Sequence, residues 1–236
     1  MEISNLELIN SKVVSYGAKL LPVVKNRTNE EIKFLYEFGF REFGENRLTD
    51  FNLHKTVYKD VDYHFIAPIQ SRKLKEIVKN FKYIHTISRE KEIDISEKLD
   101  IDCNYLIQVN IDNDPKKSGV TKNQVFKFYE YCIEKKITVV GLMTIPDINS
   151  DPKTIFSEMH QINEKLIMDY SYKGELSMGM SNDYEVALDY GATIVRIGTR
   201  LFSPDGLTVV CWVDITSSTD SGCFNPIEMR NFSNII

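Results

Sequence analysis

No apolar run in these 236 residues approaches the ~18 residues needed to span a bilayer. Positive charge is not in excess either. There are 29 Lys and Arg against 34 Asp and Glu, a formal net charge of −5, so the basic face that a nucleic-acid partner requires is not expected. The opening Met1-Glu2-Ile3-Ser4 lacks the basic-then-apolar character of a secretory signal, which makes the cytoplasm the expected compartment. Cysteine is sparse: Cys103, Cys132, Cys211 and Cys223 contain no Cys-x-x-Cys pair and read as free thiols, not a disulfide framework. The four histidines (His54, His64, His85, His160) show no metal-ligand spacing, so a histidine-type metal site is not expected.

What the sequence does hold is alternation. Ile3, Leu6, Ile9 and Val13 fall at helical spacing. Leu20 to Val24 then reads as a strand, with Pro22 a residue more usual at a sheet edge. Thr28 and Glu31 form a capping box for a helix running through Phe38, and Gly39 suits its end. Further strands are predicted at 41–43, 63–66, 83–87, 105–109, 139–143, 175–178 and 194–197. Helical patterns fall at Ser71–Val78, at Thr121–Ile133 and along the Ile155, Met159, Ile162, Leu166 stripe. Strands alternating with helices predict a parallel sheet. Eight such units in this length favour a single TIM (β/α)8 barrel, although a doubly wound sheet fits the same alternation. The texture changes near residue 203: 1–203 reads as the barrel and 204–236 as a C-terminal tail. The tail carries a Pro204-Asp205-Gly206 turn and an apolar run from Leu207 to Val213.

In such barrels the working groups sit where strands end and loops begin. Lys25 ends the first run, where desolvation in a barrel mouth would activate its amine as a nucleophile, though a lone lysine there is more often simply solvated. Gly44-Glu45-Asn46 follows the second strand and by itself reads as a helix cap. His64 lies within the third, where a lone histidine is more often structural than catalytic. The most informative segments are Leu176-Ser177-Met178-Gly179-Met180-Ser181 and Arg196-Ile197-Gly198-Thr199-Arg200. They follow the seventh and eighth strands, where barrels of this kind often bind phosphate. Small residues allow backbone N–H groups to approach an anion, Ser177 and Ser181 add hydroxyls, and Arg196 adds fixed charge. Two ordinary strand-to-helix turns would carry the same residues.

Taken in order, these segments resemble one family, the pyridoxal 5′-phosphate (PLP) homeostasis proteins (the YggS/PROSC family). The matching blocks are Leu20 to Lys25, Phe43 to Asn46, His64-Phe65-Ile66 with Gln70 and Lys73, Ile107 to Asn110, Gly141 to Thr144, Leu176 to Ser181 with Asp183, and Val195 to Thr199. The resemblance implies an α/β barrel similar to the N-terminal domain of alanine racemase, with PLP held as a Schiff base on Lys25. It implies that Ser177, Gly198 and Thr199, beside Ser181, cradle the phosphate. Arg196 would stand near the pyridine nitrogen, and Asn46, His64, Met143 and Met178 would line the pocket. An arginine there leaves the ring a weaker electron sink. The implied role is to carry and buffer PLP in vitamin B6 and amino-acid homeostasis, without established turnover. No catalytic residue and no metal is assigned. The implied partners are PLP and PLP-dependent apo-enzymes, with the chain a monomer or weak dimer. A racemase-like PLP enzyme is the alternative, but it would need a second acid–base group opposite Lys25. An interaction module with a vestigial site is the third reading.

The family pattern is not matched throughout. Its Lys-Thr-Lys-Pro-like stretch is here Lys25-Asn26-Arg27-Thr28. Tyr63 replaces the usual tryptophan, and Pro68 stiffens the loop in Ala67-Pro68-Ile69-Gln70. The expected Phe-Gly ending is Phe202-Ser203, followed by 33 further residues.

Overall fold

The computed structural model describes residues 3–55, 58 and 60–202. The expected features at 204–236, including Cys211 and Cys223, lie outside the described residues. Within them the short apolar runs are strands: β1 (Lys19–Pro22), β2 (Glu42–Glu45), β3 (Asp62–Phe65), β4 (Tyr83–Ile87) and β5 (Asn104–Asn110), then β6 (Val120–Thr121), β7 (Val139–Met143), β8 (Glu175–Ser177) and β9 (Ile194–Ile197). The helices are α1 (Ile3–Ser15), α2 (Asn29–Phe38), α3 (Leu48–His54), α4 (Leu74–Asn80), α5 (Glu90–Leu99), α6 (Val125–Glu134), α7 (Pro152–Asp169), α8 (Tyr184–Asp189) and α9 (Thr199–Phe202).

All strand pairings are parallel, in the order β1-β9-β8-β7-β5-β4-β3-β2, with β6 attached to β5 alone. The two ends of that path meet through one bridge between Val23 and Gly44 and a 2.9 Å bond from the Val24 N–H to the Gly44 carbonyl. Eight strands thus form a nearly closed barrel, as expected from the sequence. The seam between β1 and β2 explains Pro22: a residue without an N–H is tolerated in a strand whose one flank is barely paired.

Local chemistry sets the helix ends. Thr28 accepts a bond from the Glu31 N–H while Glu31 accepts one from the Thr28 N–H, and Gly39 closes α2 in the left-handed region at φ +116°. Such a cap contributes about 1 kcal/mol. Strand alternation then sorts side chains between two cores. Leu20, Phe43, Phe65, Ile84, Ile107, Leu142, Leu176 and Val195 belong to the large cluster shared with the helices. Leu106, Val140 and Met143, with Tyr83 and Ile145 against them, form a separate small cluster inside the barrel. Gly141 allows close strand contact, since a Cβ there would lie 2.4 Å from the Glu175 carbonyl oxygen. No helix among the described residues is long and apolar enough to cross a membrane.

Candidate functional site

The C-terminal ends of β1, β2 and β9, with the segment after β8, converge on a cavity of about 380 Å³. Its lining includes Lys25, Asn46, Ser181, Arg196, Gly198 and Thr199, with Val23, Ile66, Ile145 and Met180 supplying apolar wall. The barrel therefore brings together six of the ten residues singled out in the sequence. Lys25 is exposed at the rim, just before Asn26 turns the chain through the left-handed region at φ +57°. Asparagine is among the few non-glycine residues that accept this conformation. Asn46 follows β2, and its Oδ1 is buried without a hydrogen-bond partner in the protein.

The segment after β8 owes its shape to Gly179. At φ +91° it occupies a region unfavourable to side chains, and a Cβ would come within 2.6 Å of Ala187 Cβ. The close turn lets the Arg196 N–H donate to the Gly179 carbonyl (3.0 Å), and Asp183 Oδ1 accepts the Met180 N–H (2.6 Å). Arg200 Nη1 donates to the Ser181 carbonyl at 3.0 Å and fixes the rim from the side.

Arg196 is the floor. Only 4% exposed, it donates from Nη1 to Ser177 Oγ (2.6 Å) and from Nη2 to the Thr144 carbonyl (3.0 Å). No carboxylate lies within 4 Å of it among the described residues. Burial lowers the guanidinium to about 10, so it remains a cation at neutral pH, with Asp183 exerting a weaker opposite pull. A buried cation compensated by neutral dipoles alone retains an unmet demand for negative charge.

The other four residues lie elsewhere. Ser177 is fully buried inside the barrel, its Oγ held between Arg196 and His85 Nδ1 (2.8 Å), and does not line the cavity. His64 is 1% exposed, with its Nδ1 2.9 Å from His85 Nε2 and its ring stacked on Tyr83 at 4.2 Å. Met143 belongs to the interior cluster, while Met178 faces the large outer core. His85 and Thr144, not singled out in the sequence, are the partners that tie the floor together. Their residue types carry no signal, because the contacts that matter span 92 residues for His85 with Ser177 and 52 for Arg196 with Thr144.

Burial also pushes the Glu45 carboxyl up to about 7, against the opposing effect of the Asn46 and Arg47 N–H groups that donate to its Oε1.

The alanine racemase N-terminal domain family model matches residues 3–205. The pyridoxal phosphate homeostasis protein of Aquifex aeolicus is 36% identical over 196 residues, covering 78% of this chain and 86% of that protein. Its counterpart in Schizosaccharomyces pombe is 35% identical over 216 residues, covering 84% and 91%. Among solved structures, PipY of Synechococcus elongatus without PLP superposes with a TM-score of 0.77 at 27% identity, covering 85% of this chain and 99% of that one. PipY with PLP bound shares the fold, with a TM-score of 0.72 at 24% identity.

Proposed function

Because the chain belongs to the pyridoxal phosphate homeostasis family, built on the alanine racemase N-terminal domain, we propose that it binds PLP in the mouth of its barrel and serves as a carrier and buffer of that cofactor. The observation that carries this reading is Arg196, a buried cation without a carboxylate neighbour beneath an open cavity. An anionic cofactor meets the unmet demand for negative charge.

The residues fit the group. PLP presents a phosphate, an aromatic ring and an aldehyde. Ser181, Gly198 and Thr199 offer hydroxyl and backbone donors to the phosphate. Apolar Val23, Ile66 and Ile145 offer walls for the ring, and Asn46 has an unused acceptor. Lys25 is the primary amine at the rim, and so the covalent anchor. Ser177 does not contact the phosphate on this reading; it acts from below through Arg196. When bound, PLP supplies a carbonyl that captures amines reversibly and a ring that accepts electrons.

A carrier is favoured over a racemase by what lines the cavity. Its charged lining residues are Lys25, Arg27 and Arg196, with no Tyr, His, Cys or carboxylate among the described residues. A two-base exchange of a proton needs a second acid–base group facing Lys25, and the lining supplies none. PLP-dependent apo-enzymes are the natural recipients of a cofactor so held.

The test is the absorbance spectrum of the protein with PLP, borohydride reduction and peptide mapping, repeated on Lys25→Ala. A visible band, with the reduced pyridoxyl group mapped to Lys25 and lost in the variant, is expected. Full retention of the band in Lys25→Ala would remove the anchor, and absence of binding by the wild-type chain would remove the reading.

A further inference from the structure

Beneath Arg196 a file of polar groups crosses the barrel interior. Arg196 (β9) meets Ser177 (β8) at 2.6 Å, Ser177 meets His85 (β4) at 2.8 Å, and His85 meets His64 (β3) at 2.9 Å. Beyond His64 Nε2, at 3.6 Å, stands a carboxylate oxygen of Glu42 at the start of β2, itself paired with Lys19 at 3.0 Å. Strands β8 and β4 are separated in the sheet by β7 and β5, so the Ser177–His85 bond spans the interior. Rings and hydroxyl are 0–1% exposed.

The direction of this file follows from its ends. A guanidinium can only donate and a carboxylate can only accept. Arg196 therefore gives a proton to Ser177 Oγ. If the Ser177 hydroxyl donates onward to His85 Nδ1, His85 carries its proton on Nε2 and donates to His64 Nδ1. His64 then carries its own proton on Nε2, facing the Glu42 carboxylate. The reverse arrangement would point a bare His64 nitrogen at that carboxylate and leave the Ser177 proton without an acceptor on this file. Both faults are costly in a buried site.

We propose that His85, backed by His64, is a positioning residue for Arg196, holding Ser177 in the one orientation that accepts from the guanidinium and so fixing the cation beneath the cavity. The proposal rests on the reading that the cavity takes PLP, but its hydrogen-bond direction does not. Neither histidine is in the cavity lining, so any effect on the cofactor passes through Ser177 and Arg196. Both imidazoles are neutral, as the file requires. Burial, His64 and Arg196 hold His85 well down, and burial with Lys19 pulls His64 to about 3.

The test joins two measurements. The first is 15N NMR of histidine-labelled protein without PLP, with His64 and His85 assigned by substitution. The second is PLP titration of wild type, His85→Phe and His85→Asn, recording affinity and the absorbance maximum of the bound cofactor. Both rings are expected as neutral Nε2–H tautomers, and Ser177→Ala should disturb the His85 signal. His85→Phe should weaken PLP binding by about tenfold and move the absorbance maximum. His85→Asn, whose carbonyl can accept the Ser177 hydroxyl, should recover most of both. An Nδ1–H tautomer at His85 overturns the proposal. So does a folded His85→Phe protein with PLP affinity within about twofold of wild type. If the Phe variant does not fold, equal affinities of His85→Asn and Ser177→Ala, both weaker than wild type, overturn it instead. Failure of the wild-type chain to bind PLP defeats the reading of the cavity, while the tautomers still decide the direction of the file.

Discussion

Two buried neutral histidines give the protein a distinctive acid response. An unfolded chain protonates a histidine near 6.5, whereas burial, helped by Lys19, pulls folded His64 to about 3, and burial, helped by His64 and Arg196, holds His85 well below its usual range. Below pH 6.5 the unfolded state therefore binds two protons that the folded state refuses, and stability falls as pH falls. Each histidine contributes a slope of about 1.4 kcal/mol per pH unit. Glu45 acts in the opposite sense. Its folded value of about 7 against an ordinary 4.5 means that the folded state alone keeps this proton between those limits, which removes about one such slope. The net loss between pH 6.5 and 4.5 is about 1.4 kcal/mol per unit, or about 3 kcal/mol in all. Below pH 4.5 Glu45 no longer opposes and the slope doubles, until His64 itself titrates. The partly buried His54, also lowered by burial, adds to the loss. Urea unfolding of the PLP-free protein at half-unit steps of pH reads this directly. In His85→Phe the slope from pH 6.5 to 4.5 should fall close to zero. A flat wild-type profile, or a slope unchanged by removing His85, would show that the histidines titrate in the folded protein and that the neutral file is wrong.

Arg196→Ala should raise the PLP dissociation constant by at least about tenfold, from the loss of a charge-assisted contact, while Arg72→Ala at an exposed site should leave it unchanged; equal constants in a fluorescence titration would refute the role given to Arg196. Gly179→Ala should cost about 3 kcal/mol of unfolding free energy, because φ +91° disfavours a side chain and its Cβ would collide with Ala187. A loss below about 1 kcal/mol in urea unfolding would mean that the turn relaxes freely.

Much of the architecture was legible because it is written locally. Each barrel strand announces itself as a β-branched or aromatic run, and the observed bounds depart from the expected ones by no more than a residue or two. The Thr28–Glu31 capping box is a pattern of neighbours and appears as read. Helix α5 was missed because Glu90–Leu99 carries only three apolar residues among charges, and α3 because seven residues without a side-chain cap leave little periodicity. The site divides the same way. Lys25, Asn46, Ser181, Arg196, Gly198 and Thr199 follow or end strands, and topology alone sends strand ends to one mouth. His64, Ser177, Met143 and Met178 lie within strands or one residue past them, where the facing direction decides everything. Ser177 and Met178 are adjacent, yet one turns into the barrel and the other into the outer core. His85 gave no signal at all, since its partners are supplied by barrel closure and not by spacing.

The separation of rim from floor bears on how a carrier can hold a cofactor and yet release it. The covalent anchor, Lys25, is exposed on a turn, open to water and to competing amines that reverse such a link. The electrostatic hold, Arg196, sits on a strand and is locked by Ser177, Thr144 and the histidines behind it. Release can then begin at the rim without disturbing the floor, and the empty site stays organised for the next molecule because its cation never depended on the cofactor for its position. An enzyme that used Lys25 as a base would need the opposite: a shielded amine and a second group facing it. The exposure of Lys25 and the rigidity of what lies beneath it both favour reversible custody over chemistry.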